Sequence, residues 1–256
     1  MHHTDRELRL ATALVEAADT LAEDFSAMDH LRRVADRCVE LLGVRAAGVM
    51  LIDGGRPVSM TGSSRHEAMA LDLLGAQRGA GPCWESYCSG KAVTAVSIRA
   101  AHQKARWPRF TERALRHDVA GTFAVPLSRH GSPFGALNVF VRTAPDGAFQ
   151  GDGSQLAVAQ ALADAAAVGL QNHRACTRYR MLAEQLQEAL SSRILIEQAK
   201  GMLAERWGVE ADEAFVFLRQ YARRHRLALH DAARAVIEGT VDDGELRRQA
   251  PRGPGE

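Results

Sequence analysis

The stretch from Arg193 to Gly239, RILIEQAKGMLAERWGVEADEAFVFLRQYARRHRLALHDAARAVIEG, decides the fold of the last quarter of the chain. Three short amphipathic segments follow one another in it. In the first, Ile196, Ala199 and Leu203 recur at helical spacing, while Arg193 and Lys200 lie two turns apart on another side. In the second, Phe215, Leu218 and Ala222 mark the expected apolar stripe, and Arg219, Arg223 and Arg226 follow the i, i+4, i+7 rule on a neighbouring face. The third is shorter and carries Leu229, Ala232, Ala233 and Val236. Helices this short close a core only by packing their stripes together, so the spacing predicts a three-helix module with its basic side chains outside.

Within that stretch the ordered set Ile196-Glu197-Gln198-Ala199-Lys200-Gly201, Glu213-Ala214-Phe215, Leu218-Arg219 and Ala222 resembles the ANTAR family, the RNA-binding output module of bacterial transcription antitermination regulators. The resemblance covers roughly the final sixty residues. It implies a module that binds paired RNA stem-loops in a leader transcript and disfavours a competing terminator hairpin. Lys200, Arg193, Arg219, Arg223 and Arg226 are then the expected RNA contacts, with Tyr221 as a base-stacking partner. Trp207 and Phe215 read as core. Gly201, unfavourable inside a helix, is expected to mark close packing by another element. The sequence departs from the family where a small hydroxyl residue usually caps the second helix, because Glu210 and Ala211 stand there. The module also holds Glu197, Glu205, Glu210, Asp212, Glu213 and Asp231, so RNA binding requires its charges to be segregated in space.

The whole chain has 256 residues, 46% hydrophobic and 25% charged, with a formal net charge of +1. That length carries one large domain or two small ones. Near-neutrality means that nucleic-acid affinity must come from a local patch. Cys38, Cys83, Cys88 and Cys176 make no CxxC spacing and no disulfide framework. The beginning of the chain lacks a signal pattern and no apolar run reaches membrane length, so a cytoplasmic protein without membrane contact is expected.

Upstream, Asp5 to Leu42 reads as two helices, and Ala46–Ile52 and Pro57–Thr61 as a hairpin about Asp53-Gly54-Gly55. Helical Glu67–Leu74 leads to a loop at Gly79-Ala80-Gly81-Pro82 and a helix opening over Cys83–Cys88 with Pro82 just before it. A strand at Ala92–Val96, helical Ala101–Arg116 broken at Pro108, and a hairpin of Gly121–Leu127 with Phe134–Val141 follow. From Asp152 to about Arg206 the pattern is continuously helical. This order, with Gly81-Pro82-Cys83, Arg106-Trp107-Pro108-Arg109-Phe110, Ala124-Val125-Pro126-Leu127 and Phe134-Gly135-Ala136-Leu137-Asn138, resembles the GAF domain, a small-molecule sensor fold. The NKFDE signature of cyclic-nucleotide-binding members is absent, and the ligand and any cofactor stay open.

The expected architecture is therefore α+β. It comprises an N-terminal helix at 1–30, a GAF-like antiparallel sheet flanked by helices at 31–170, a long connecting helix at 171–192, the ANTAR module at 193–246 and a disordered tail at 247–256. In the connecting helix Tyr179, Leu182, Leu186 and Ala189 alternate three- and four-residue steps, which reads either as a homodimeric coiled coil, the expectation taken here, or as an ordinary helix packed on its own sheet. Cys83 and Cys88 are candidate redox or ligand-binding thiols. The expectation is a non-enzymatic, signal-responsive antitermination regulator; the rivals are a sensor acting through a protein partner and a GAF-type thiol reductase.

Overall fold

The computed structural model describes residues 2–20, 25–142 and 153–247. The chain divides into two compact units, residues 1–176 and 177–256. The first has the order α1 (His2–Ala18), α2 (Ala27–Leu42), β1 (Ala46–Asp53), β2 (Arg56–Gly62), α3 (Glu67–Gly75), α4 (Pro82–Ser89), β3 (Val93–Ser97), α5 (Ile98–Gln103), α6 (Pro108–Arg116), β4 (Val119–Arg129) and β5 (Ser132–Arg142). α7 (Gly153–Trp207) begins in this unit and ends in the next. The second unit continues with α8 (Ala211–His225), α9 (Leu229–Ile237) and a short α10 (Asp243–Arg247).

All strand pairs are antiparallel and the sheet order is β2-β1-β5-β4-β3. The two sequential hairpins turn at Gly54-Gly55 and at His130-Gly131, all four residues at positive φ, which matches the right-handed twist of the flanking strands. Alternation along each strand feeds two apolar layers. Val49, Val125, Leu137 and Val139 face α1, α2 and the first part of α7, where Leu31, Val34, Leu162 and Leu170 are buried. Met50, Ala124, Ala136 and Phe140 face the other side, packed against Leu73, Leu74, Ile98 and Phe110. Each fully buried Leu or Phe side chain contributes roughly 1.5–3 kcal/mol, and a one-residue slip of β5 would exchange both layers.

α2 starts at Ser26, whose hydroxyl accepts from the Asp29 N–H, and ends at Gly43 in the left-handed region. Asp29 itself lies in the first turn. The buried ring of His30 faces α1 with neither nitrogen hydrogen-bonded, and burial, reinforced by Arg33, lowers its pKa. The Ala17 carbonyl pulls the other way without reaching hydrogen-bonding geometry. α7 meets the end of α1 closely: the Thr20 hydroxyl donates to the Gly169 carbonyl at 2.7 Å.

A buried polar cluster ties the sheet to the α3–α4 connection. Gln77 Nε2 donates to Asn138 Oδ1 at 2.7 Å, and the Asn138 amide donates to Thr122 Oγ1 and the Phe123 carbonyl. Gln77 Oε1 accepts from the Cys83 N–H at 2.8 Å. Gly81 allows this approach, since a Cβ there would meet the Gln77 side chain at 2.5 Å. Two motif fragments, Gly81-Pro82-Cys83 and Gly135-Ala136-Leu137-Asn138, thus meet in one network.

The connecting segment expected at 171–192 is the middle of one continuous helix, α7, and α10 extends the expected three-helix module. The predicted tail, from 248 onward, lies outside the described residues.

Candidate nucleic-acid interface

The core of the second unit is built from Ala199 and Leu203 of α7, Ala232, Ala233 and Val236 of α9, and Leu246 of α10, closed by α8. The α8 stripe is Ala214, Phe217, Leu218, Tyr221 and Ala222, the full i, i+3, i+4, i+7, i+8 set. Phe215, expected in that stripe, is only half-buried beside it, and Phe217 instead packs edge-on against Trp207 with centroids 5.4 Å apart.

The Lys200 side chain keeps 19% of its exposure, and its Nζ donates to Glu197 Oε2 at 2.8 Å. That hydrogen bond raises the Lys200 pKa; partial burial opposes the rise and the nearby Asp212 carboxylate adds to it. The same hydrogen bond holds Glu197 below the ordinary carboxylate value. Asp212 lies in the first turn of α8, and Arg219 and Arg223 follow it by 7 and 11 residues, so the three leave α8 on one side, while Arg226 lies just past the helix end. Lys200 lies on α7, with Arg193 two turns earlier on the same helix. The four arginines are exposed, and among the described residues none of the three on α8 is ion-paired. Two acids stay close to these cations, Asp212 on the arginine side of α8 and Glu197 on Lys200. Acidic groups elsewhere in the module pair away from the stripe: Asp243 with Arg206 at 2.8 Å and Glu245 with His225 at 3.3 Å.

Local sequence sets the ends of α8. Glu210 occupies the N-cap without a side-chain cap hydrogen bond, and Asp212 and Glu213 in the first turn complement the helix dipole instead. Arg226 ends the helix in the left-handed region, φ 54°, its N–H bonded to the Ala222 and Arg223 carbonyls.

Two site expectations change. Tyr221 is 8% exposed and stacks on His225 at 4.4 Å, and burial raises its pKa. A ring committed to the core and to His225 has no open face for a base. Cys83 is fully buried and burial pushes its thiol up, the reverse of what a reactive thiolate needs; Cys88, five residues on, is exposed. Gly201 also differs from expectation: nothing lies within 4 Å of a Cβ built on it, so no element of the chain crowds it.

The comparisons with known proteins agree with this anatomy. A GAF domain family model matches residues 28–171, more than half of the chain, and an ANTAR domain model matches residues 184–237. The chain belongs to the GAF domain family and carries an ANTAR domain after the sensor fold; both are regulatory domains. Among solved structures it is similar to the GAF domain of a phosphoenolpyruvate-protein phosphotransferase from Coxiella burnetii, with 18% identity over 68% of this chain and 98% of that one and a TM-score of 0.49. It is also similar to the corresponding Acinetobacter domain, with 13% identity over 65% and 93% and a TM-score of 0.44. A free methionine-R-sulfoxide reductase from Neisseria meningitidis gives 19% identity over 65% and 91% and a TM-score of 0.44. No curated protein matches significantly. Among the described residues no helix is long and apolar enough to cross a membrane.

Proposed function

We propose that this protein is a non-enzymatic, signal-responsive RNA-binding antitermination regulator of the cytoplasm, whose sensor unit binds a small molecule and whose ANTAR unit grips paired stem-loops in leader transcripts. The observation that carries the reading is the exposed Arg219, Arg223 and Arg226 along and just past α8, free of ion pairs among the described residues, together with the uncrowded backbone at Gly201 beside Lys200 on α7. Phosphates are contacted by these cations, and Gly201 leaves room for the RNA backbone to come close. Ligand binding in the sensor shifts the population of RNA-competent states through a difference in affinity between them. The acting unit is a homodimer: Tyr179, Leu182, Leu186, Leu190 and Ile194 of α7 are 49–67% exposed, an apolar strip that a second copy covers as a coiled coil.

Gel shifts with a two-hairpin leader test the RNA reading. Lys200→Ala lowers affinity roughly tenfold and flattens the salt dependence by about one phosphate contact. Unchanged affinity across several salt concentrations overturns the assignment, and no RNA affinity in the intact protein leaves the docking of a protein partner in its place. Sedimentation of Leu182→Asp/Leu186→Asp checks the dimer, which that variant converts to monomer.

A further inference from the structure

The sensor unit has a second basic array. Arg109, Arg113 and Arg116 leave α6 at i, i+4 and i+7, on one side of the helix. That side faces the end of α3 across a groove of about 350 Å³, walled by the three arginines and Glu112 on one flank and by Gly75, Ala76 and Arg78 on the other. Two of the four arginines are held by single carboxylates, Arg113 by Asp72 and Arg116 by Glu112. Among the described residues no carboxylate pairs with Arg78 or Arg109. Four guanidinium groups against two carboxylates leave a local excess of two positive charges around this groove. All four arginines border one groove, so an anion seated there would offset their excess charge.

The geometry points to a binding site for a phosphorylated small molecule of the nucleotide or sugar-phosphate class, seated between α6 and the end of α3. Arg78 and Arg109 supply the planar, forked donors that match phosphate oxygens. Beside Arg78 the groove is also bounded by Gly75 and Ala76 at the C-terminal end of α3, where the helix dipole is negative and favours donors. A ligand carrying phosphate at one end and hydroxyl or amino groups at the other complements both flanks, whereas a bare polyanion complements only one. The volume lies within the range of small-molecule sites and is too small for an RNA helix. The inference rests on the reading of this unit as a small-molecule sensor and names the ligand class.

Calorimetric titration of the full chain with ADP, ribose 5-phosphate and pyrophosphate tests it. We expect ADP or ribose 5-phosphate to bind more tightly than pyrophosphate. Arg78→Ala/Arg109→Ala should weaken binding at least tenfold with circular dichroism unchanged, the Lys/Lys variant should retain part of it, and Arg219→Ala/Arg223→Ala should leave it unmoved. No binding of any probe at millimolar concentration, or binding indifferent to Arg78 and Arg109, overturns the site. Weaker RNA binding by Arg78→Ala/Arg109→Ala in a protein that ignores ADP overturns it too, and assigns the groove to nucleic acid. ADP binding that depends on the groove but leaves RNA affinity unchanged supports the site and refutes its coupling to the output, so the two readings fail separately.

Discussion

α6 in the sensor and α8 in the output unit carry three arginines at identical spacing, 109, 113 and 116 against 219, 223 and 226. Their surroundings differ. On α6 two of the three are held by carboxylates, and the stripe lines a concave groove closed by the end of α3. Along and just past α8 none of the three is ion-paired among the described residues, and all three are exposed. The same spacing therefore provides a pocket in one unit and a track in the other. What separates them is the placement of neighbouring acids and backbone, which periodicity does not encode.

The largest effect that could break this comparison comes from removing each stripe in turn. Arg219→Ala/Arg223→Ala/Arg226→Ala should lower RNA affinity by about a hundredfold or more and reduce the salt slope by roughly three contacts, read by filter binding over a salt series. Arg109→Ala/Arg113→Ala/Arg116→Ala should change it less than about twofold. Equal losses would mean that the two stripes do one job.

Smaller and opposite in sign is Glu197→Gln. Glu197 holds Lys200 at 2.8 Å in the free protein, so neutralising it frees the ammonium for phosphate and should tighten RNA binding a few-fold. Weaker binding would show that Glu197 orients Lys200 and does not compete for it. Gly201→Ala sharpens the output side further. With nothing within 4 Å of the added methyl, the unit should gain up to about 1 kcal/mol by thermal unfolding while losing RNA affinity. Stability and affinity rising together would remove the backbone-approach reading.

The smallest effect belongs to the sensor alone. Burial holds the His30 pKa below its ordinary 6.5, so below that pH the unfolded chain binds a proton that the folded chain resists. Stability contributed by the neutral ring is complete above pH 6.5 and declines as the pH falls through the folded-state value. His30→Phe should flatten the acid side of the unfolding profile, measured between about pH 7.5 and 5.5, and leave that of the output unit alone.

The sheet was legible because Gly54-Gly55 and His130-Gly131 punctuate alternating runs, and α7 because nothing interrupts its pattern. The stripe of α8 was harder. Phe215 and Phe217 are both large and apolar, and which one turns inward depends on Trp207, a residue of another helix. Tyr221 illustrates the same ambiguity, since a phenol suits a core edge as well as a base. The Gln77–Asn138 contact joins residues 61 positions apart, and the arginine groove needs Arg78 brought to α6. Neither leaves a local trace in the sequence.

Arg226 holds a left-handed turn that glycine adopts without penalty, at a cost of roughly 1–2 kcal/mol for a side chain with a Cβ. An engineer seeking a sturdier molecule would write glycine there first. The proposed role then sets robustness against reach, because the same change strips a cation from the end of the RNA track, and a hardened variant that still antiterminates would show how many positive groups the transcript truly requires.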